Sequence, residues 1–287
     1  MSYNISSENL SNPLLKELLH TLSIYFQEKE LKFYVIGATA RDILIRYFSS
    51  SQSLRRTRDL DVAIAIPDWD RFEEIAREIS SMPDFVKSRH QKQRFIYKDV
   101  YELDIVPFGK VAKEDGYIYW PPDEEIGMSV KGFSYVLKDA VTFGIDNEFE
   151  INVASLPALF ILKFEAWIDR NISTSKDAED IFNLVSNYYD AFEERNMNTN
   201  YHQEVYEMDD FDTFVAGAIW LGHDLCTILS IQLIEHYQTI LSEELSDAEE
   251  SRLIHQMMVG SSISYIRIYR ALASLSAVWQ NYLSVQQ

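Results

Sequence analysis

The chain has 287 residues, of which 47% are hydrophobic and 13% aromatic, so it can bury a sizeable core and is not a disordered tail. Its formal net charge of −19 argues against a general nucleic-acid coat protein or a protein that binds anionic membranes. The single cysteine, Cys226, excludes an internal disulfide and any zinc site built from several cysteines.

Acidic residues are distributed unevenly along the chain. Residues 1–140 carry 19 basic and 22 acidic residues, whereas residues 141–287 carry 7 basic and 23 acidic ones. The first half mixes short β-branched and aromatic runs with helical ones, and the second half has helical periodicity almost throughout. We therefore predict an α+β protein. A mixed sheet with flanking helices occupies residues 1–150, and an acidic helical domain occupies residues 151–287.

Hydrophobic periodicity predicts the elements in chain order. The predicted helices of the first domain cover about residues 14–27, 39–48 and 71–80, and its strands cover 33–36, 59–66, 85–88, 94–97 and 101–106. The predicted helices of the second domain cover about residues 155–169, 176–189, 212–240, 247–258 and 262–284. Pro67 ends one strand, and Asp68 is expected to cap the helix that follows it.

The sequence shows no sign of a membrane or secretory segment. The N-terminus lacks an early Lys/Arg cluster followed by an apolar core, which a secretory signal requires. Residues 216–234 form the most apolar stretch, but Gly217, His223, Asp224 and Gln232 interrupt it. We expect a cytoplasmic protein that does not bind a membrane.

The strongest chemical motif is a pair of aspartates, Asp59 and Asp61, at the start of a strand. Successive side chains of a strand point to opposite faces, so these two share a face, with Cα atoms about 6.6 Å apart. Carboxylates at this spacing can converge on one or two hard cations. Taken alone, the pair also fits an edge strand with a solvated polar face.

Two neighbouring segments favour the cation-binding interpretation. Gly37 stands where a predicted strand ends and a helix begins, and a glycine there lets the backbone approach a ligand closely. The amides at the helix start would then form an anion site, to which the Thr39 hydroxyl could contribute. Asp104 places a third acid of the set in an apolar strand, with Glu102 as its same-face neighbour two residues earlier. Three carboxylates beside a phosphate-binding turn are what Mg²⁺-dependent phosphoryl chemistry requires.

At this point the residues resemble a known family. Gly37-x-Thr39, Asp59-x-Asp61 and the later Asp104 resemble the nucleotidyltransferase superfamily typified by DNA polymerase β. The first motif of that superfamily is usually Gly-Gly or Gly-Ser, whereas this chain has Gly37-Ala38.

Longer runs of sequence narrow the resemblance. Arg55-x-Thr57-x-Asp59-x-Asp61 is similar to the R-x-T-x-D-x-D run of the nucleotidyltransferase toxins of abortive-infection systems. The pair Arg41-Asp42, which follows the glycine turn, is similar to the sequence at that place in the tRNA CCA-adding enzymes. The downstream layout also resembles the toxin-type proteins, through Lys163, Asp169-Arg170 and Lys176-Asp177-x-x-Asp180. The resemblance covers roughly residues 30–190.

The resemblance implies a transfer of a nucleoside monophosphate from a nucleoside triphosphate to an acceptor hydroxyl or phosphate, with release of pyrophosphate. The implied catalytic residues, which would also hold two Mg²⁺ ions, are Asp59, Asp61 and Asp104. The implied nucleotide-binding residues are Gly37, Ala38, Thr39, Arg41 and Lys163. For Lys163, a surface lysine paired with Glu165 or Asp180 is an equal alternative.

Several functions remain open from the sequence. The sequence has one dense basic region, formed by Arg55, Arg56, Arg58, Lys87, Arg89, Lys92 and Arg94. The acceptor could be a macromolecule such as tRNA, which this basic region favours, or a cationic small molecule of the aminoglycoside type, which the acidic second half favours. A non-catalytic relative that docks a basic partner is the third alternative, and a neutralising protein partner is compatible with all three. None of the six histidines is expected to pair with another histidine or with Cys226 at zinc-ligand spacing.

Overall fold

The computed structural model describes residues 2–10, 12–48, 58–125, 127–192, 202–247 and 250–286. The strands are Ser2–Ile5 (β1), Phe33–Ile36 (β2), Asp59–Ile66 (β3), Phe85–Lys87 (β4), Arg94–Tyr97 (β5), Tyr101–Gly109 (β6), Tyr117–Tyr119 (β7), Gly127–Ser129 (β8), Val141–Ile145 (β9) and Phe149–Val153 (β10). The α-helices are Pro13–Glu28 (α1), Gly37–Phe48 (α2), Trp69–Ser81 (α3), Phe133–Val136 (α4), Leu156–Arg170 (α5), Lys176–Ala191 (α6), Thr213–Ile228 (α7), Ile231–Ser246 (α8), Arg252–Met257 (α9) and Tyr265–Gln286 (α10).

The described chain forms two compact units. The first ends at Ser155 and the second begins at Leu156, except that Phe48 belongs with the second. The first unit contains a mixed sheet and the second contains helices, which confirms the predicted fold class. No described helix combines the length and the apolar character that a membrane span requires.

The first unit is built on an eight-stranded sheet with the order β1-β9-β10-β2-β3-β6-β5-β4. β3 pairs antiparallel with β2 and parallel with β6, so it has hydrogen-bonded neighbours on both sides. The predicted apolar face of β3 is confirmed, because Leu60, Val62 and Ile64 are fully buried. This burial fixes the register of the strand and directs its aspartates to the other face.

Local signals at the element boundaries explain where the helices of the first unit begin. Asp68 caps α3 as predicted, because its Oδ1 accepts a hydrogen bond of 2.9 Å from the backbone N–H of Arg71. The helix predicted from residue 39 begins at Gly37 instead, directly at the end of β2. Because β2 and β3 pair antiparallel, the start of α2 lies beside the start of β3. These two segments can form one site.

In the second unit, the prediction of one helix over residues 212–240 is wrong. The chain leaves the helical conformation at Leu229, and a new helix begins after Ser230. The Ser230 hydroxyl accepts a hydrogen bond of 3.4 Å from the backbone N–H of Leu233, which caps α8. Apolar residues continue through the break, so periodicity alone did not reveal it.

Candidate active site

Four carboxylates lie on one face of two adjacent strands in the first unit. The parallel register of β3 and β6 places Asp59 opposite Glu102 and Asp61 opposite Asp104. Facing residues of paired strands, and residues two apart along one strand, share a face of the sheet. We call these four residues the acid row. Their like charges repel one another, so the row requires cations nearby.

The turn at Gly37 lies directly against the acid row. Ile36, the last residue of β2, is in register with Asp61, and Gly37 follows it with a φ of 67°. A Cβ added at Gly37 would lie 2.2 Å from Oδ2 of Asp61. Both the left-handed backbone and the space therefore require glycine at this position. The close approach places one carboxylate oxygen beside the first residue of α2.

Gly37→Ala is expected to remove the nucleotidyl transfer that the sequence resemblance implies. The added methyl group would displace the Asp61 carboxylate, and the left-handed backbone would cost about 1–2 kcal/mol in addition. Gly260→Ala is a matched control, because Gly260 has a φ of 72° but an added Cβ would meet nothing within 4 Å. Urea unfolding and a transfer assay on both variants check the prediction. Equal activity of the two variants would contradict it.

A hydrogen bond connects Thr39, in the first turn of α2, to the strand that carries Asp59. Its Oγ1 donates a hydrogen bond of 3.1 Å to the carbonyl oxygen of Asp59, and the residue is 4% exposed. The hydroxyl proton is therefore used inside the protein. Ala38, the second residue of α2, is partly exposed. Backbone amides at the start of α2, rather than the Thr39 hydroxyl, are the donors that suit a phosphate here.

Arg41 pairs with its neighbour in the sequence. Its Nε and Nη2 lie 3.1 and 3.0 Å from Oδ1 of Asp42, and both side chains are largely buried. This pairing explains how an arginine and an aspartate are accommodated in the apolar interior of α2. The predicted nucleotide contact of Arg41 stays a prediction.

Two cations from the neighbouring strands lie near the acid row. Arg94 of β5 donates to both oxygens of Asp104, at 2.7 and 2.9 Å, and also pairs with Glu102. The hydrogen bond to Asp104 raises the pKa of Arg94. The Nζ of Lys87, in β4, lies 4.1 Å from the ring centroid of Phe95. Burial lowers the pKa of Lys87 to about 8, and the negative charge of Asp104 acts in the opposite direction.

Sequence reasoning grouped Arg94 with other basic residues but did not identify its partner. The register of β5 and β6 sets Arg94 directly opposite Asp104. Strand pairing between residues that are not adjacent in the chain decides this contact, so the only signal in the sequence was a basic residue at a strand start.

In the second unit, Lys163 belongs to an ion-pair cluster. Its Nζ lies 2.6 Å from Oδ2 of Asp180 and 3.4 Å from Oδ1 of Asp177. Arg170 of the same helix donates to both oxygens of Asp177, at 2.6 and 2.8 Å. The alternative of an ion pair with Asp180 is thus present in the structure. The predicted nucleotide contact of Lys163 stays a prediction.

Comparison with known proteins decides the family. A family model described as the nucleotidyl transferase AbiEii toxin of a type IV toxin–antitoxin system matches residues 22–258. The chain belongs to the AbiEii nucleotidyltransferase toxin family. No curated protein matches the sequence.

A solved structure of an antigenic nucleotidyltransferase-like protein from Paracoccidioides brasiliensis is similar at 18% sequence identity. The similarity covers 63% of this chain and 77% of that chain, with a TM-score of 0.40. The assignment to the AbiEii family rests on the family match and not on this likeness.

Membership of the AbiEii family confirms the predicted resemblance and identifies the chain as a nucleotidyltransferase. The acid row and the Gly37 turn are the parts of the described structure that suit such a reaction. Of the toxin-type run, Asp59 and Asp61 lie in β3, whereas Arg55 and Thr57 lie outside the described residues.

Mg²⁺ prefers oxygen ligands, and the carboxylates of the acid row supply them. Asp59 is exposed, Asp61 is half-buried, and the Asp61 carboxylate occupies the space that a Cβ would fill at Gly37. Asp104 differs, because both its oxygens accept from Arg94. The three aspartates are not a set whose ligand atoms all lie within 4.8 Å of one another. For Asp104 to become a ligand, one of its oxygens must leave Arg94.

Proposed function

We propose that this AbiEii-family protein moves a nucleoside monophosphate from a nucleoside triphosphate to an acceptor hydroxyl or phosphate in a Mg²⁺-dependent reaction. The observation that carries the proposal is the contact of the Asp61 carboxylate with Gly37, where a Cβ would lie 2.2 Å from Oδ2. This contact would bring together the two parts of a triphosphate site. One part is the helix start, which would bind the phosphates, and the other is the carboxylate, which would bind the cation. Neither part alone would favour a triphosphate over other anions.

The residues divide the work by their chemistry. Gly37, Ala38 and Thr39 would present backbone amides to the β- and γ-phosphates. Asp59 and Asp61 would hold Mg²⁺, which neutralises phosphate charge and lowers the pKa of an acceptor hydroxyl when bound. The bond between the acceptor oxygen and the α-phosphorus forms while the bond from the α-phosphorus to the pyrophosphate oxygen breaks. The acceptor proton leaves to a base, and pyrophosphate departs.

Asp104 would act from β6, the strand that pairs with the one carrying Asp59 and Asp61. Its bidentate pairing with Arg94 fixes its orientation, so it would position the acceptor or, after releasing one oxygen, complete the metal shell.

We propose tRNA as the acceptor. The hairpin of β4 and β5, next to the acid row, carries Lys87 and Arg94 on its strands and Arg89 and Lys92 between them. Arg94 is already paired within the acid row and Lys87 is partly buried, so the exposed Arg89 and Lys92 are the side chains that would meet a nucleic-acid backbone. They stand out against the net charge of −19. The type IV toxin–antitoxin family also implies an antitoxin that neutralises the protein.

Transfer of an α-phosphate label tests the proposal. The purified protein is incubated with Mg²⁺ and each α-labelled nucleoside triphosphate, with total tRNA, a panel of aminoglycosides, or no acceptor. Label on tRNA, absent with a γ-labelled triphosphate or with EDTA, is the expected result. Label on an aminoglycoside would replace tRNA by a small molecule. If no acceptor became labelled and the protein bound no triphosphate, the proposed reaction would be overturned.

A further inference from the structure

A second group of ligand-type side chains lies in the second unit. Among the described residues, one set of three or more such groups has its ligand atoms within 4.8 Å of one another, and it consists of His202, Glu204 and His223. His223 belongs to α7, and Glu204 lies in a short 3₁₀-helix, Gln203–Tyr206, that follows His202. The expectation that no histidine lies at ligand spacing from another histidine is therefore wrong.

The three side chains converge on a small volume. The imidazole rings of His202 and His223 stack with their centroids 3.4 Å apart and an angle of 8° between their planes. Nδ1 of His202 lies 3.3 Å from Oε1 of Glu204, and Nε2 of His223 lies 3.0 Å from the same oxygen. Ligand atoms around a tetrahedral Zn²⁺ ion are separated by about 3.3 Å, given bonds of about 2.0–2.1 Å. The two nitrogen–oxygen separations are within a few tenths of an ångström of that value, and all the ligand atoms of the group lie within 4.8 Å of one another.

An ion from solution can reach the three side chains. Their exposed fractions are 33% for His202, 49% for Glu204 and 25% for His223.

The backbone that carries His202 and Glu204 is anchored. Val205, the residue after Glu204, is fully buried. Trp220 of α7 donates from Nε1 to the carbonyl oxygen of His202 at 3.4 Å, and its ring stacks on Tyr189 of α6. The hydroxyl of Tyr189 in turn lies 3.3 Å from that of Tyr206. Aromatic packing therefore anchors the backbone segment that carries His202 and Glu204 beside His223.

We propose that His202, Glu204 and His223 bind one late first-row divalent cation, with Zn²⁺ as the best match. Two imidazole nitrogens and a carboxylate suit Zn²⁺ and disfavour Mg²⁺, which prefers oxygen ligands alone. The ion would connect the segment 202–206 to α7. This site is separate from the acid row and does not depend on the proposed transfer reaction.

A titration of the full chain with Zn²⁺ tests the proposal. The protein is first stripped with a chelator and then kept in excess Mg²⁺, which occupies oxygen-rich sites, while a chromophoric chelator reports the free Zn²⁺. We expect one Zn²⁺ per chain, and an affinity at least tenfold weaker in His202→Ala and in His223→Ala. His236→Ala is the control, because His236 is an exposed histidine of α8 outside the group.

Two further readouts separate coordination from loss of structure. Added Zn²⁺ should raise the melting temperature of the unsubstituted chain and not that of His202→Ala. Co²⁺ in place of Zn²⁺ should give visible absorption bands that His202→Ala abolishes and His236→Ala retains. If His223→Ala does not fold, His202→Ala decides, because its side chain is the more exposed of the two. Unchanged Zn²⁺ affinity in His202→Ala, or no Zn²⁺ bound by the unsubstituted chain, would overturn the proposal.

Discussion

Replacing both Asp59 and Asp61 by asparagine is expected to reduce nucleotidyl transfer by a factor of at least about a thousand. A metal ion in such a site supplies several kcal/mol of charge stabilisation, and each 1.36 kcal/mol corresponds to about a tenfold change in rate. The fold should keep its stability or gain some, because the double substitution removes two of the four like charges on one face of β3 and β6. A transfer assay and thermal unfolding, with and without Mg²⁺, measure both effects.

The control for this double variant is Asp70→Asn with Asp99→Asn. Both residues are exposed in the first unit and lie outside the acid row, and their replacement changes the net charge by the same amount. The control should transfer normally, and Mg²⁺ should raise its melting temperature by the same amount as we expect for the unsubstituted chain. Full activity in the Asp59 and Asp61 variant would refute the metal assignment. So would an inactive variant that Mg²⁺ still stabilises.

The centre of the first unit could be predicted because local and nonlocal signals agree there. The strict alternation of β3 defined its buried face, and a glycine after an apolar run marked the start of α2. The edge of the sheet was missed. β9 and β10 form a hairpin around Asp146 and Asn147, which both have positive φ, so a turn signal was present in the sequence. The parallel pairing of β1 with β9 joins segments far apart in the chain and left no local signal.

The candidate sites show the same division between local and nonlocal information. The positions of Asp59 and Asp61 follow from strand geometry alone. The pairing of Arg94 with Asp104 requires the register of two strands, and the stacking of His202 on His223 requires the packing of a loop against a helix. A histidine spacing typical of a zinc motif is defined along the chain, so it cannot reveal ligands that only the tertiary fold brings together.

Asp177→Asn is expected to lower the free energy of unfolding at pH 7 by about 2–3 kcal/mol. Asp177 has a side chain that is 1% exposed, and it accepts two hydrogen bonds from Arg170 and a longer one from Lys163. Hydrogen bonds to charged groups contribute about 1.5–3 kcal/mol, and asparagine keeps the shape but loses the charge. Urea unfolding followed by tryptophan fluorescence measures the loss.

Asp180→Asn is the matched control, because Asp180 lies on the same helix and also pairs with Lys163, but its side chain is 24% exposed. Its replacement should cost only about 0–1 kcal/mol, as is usual for exposed ion pairs. If the two variants lose the same stability, burial of Asp177 is not what gives the pair its strength, and the cluster is a solvated one.

The pH dependence of the Asp177 effect provides an independent check. Burial acts to raise the pKa of Asp177, but the hydrogen bonds from Arg170 and the charge of Lys163 outweigh it, so the pKa lies below its ordinary value of 3.8. A carboxyl whose pKa is depressed by folding contributes stability above that ordinary value and loses it as the pH falls through the folded value. The difference between Asp177→Asn and the unsubstituted chain should therefore be constant near neutral pH and shrink below about pH 4. A difference that stayed constant on acidification would mean that the negative charge of Asp177 does not stabilise this helical unit, and that its role is one of shape alone.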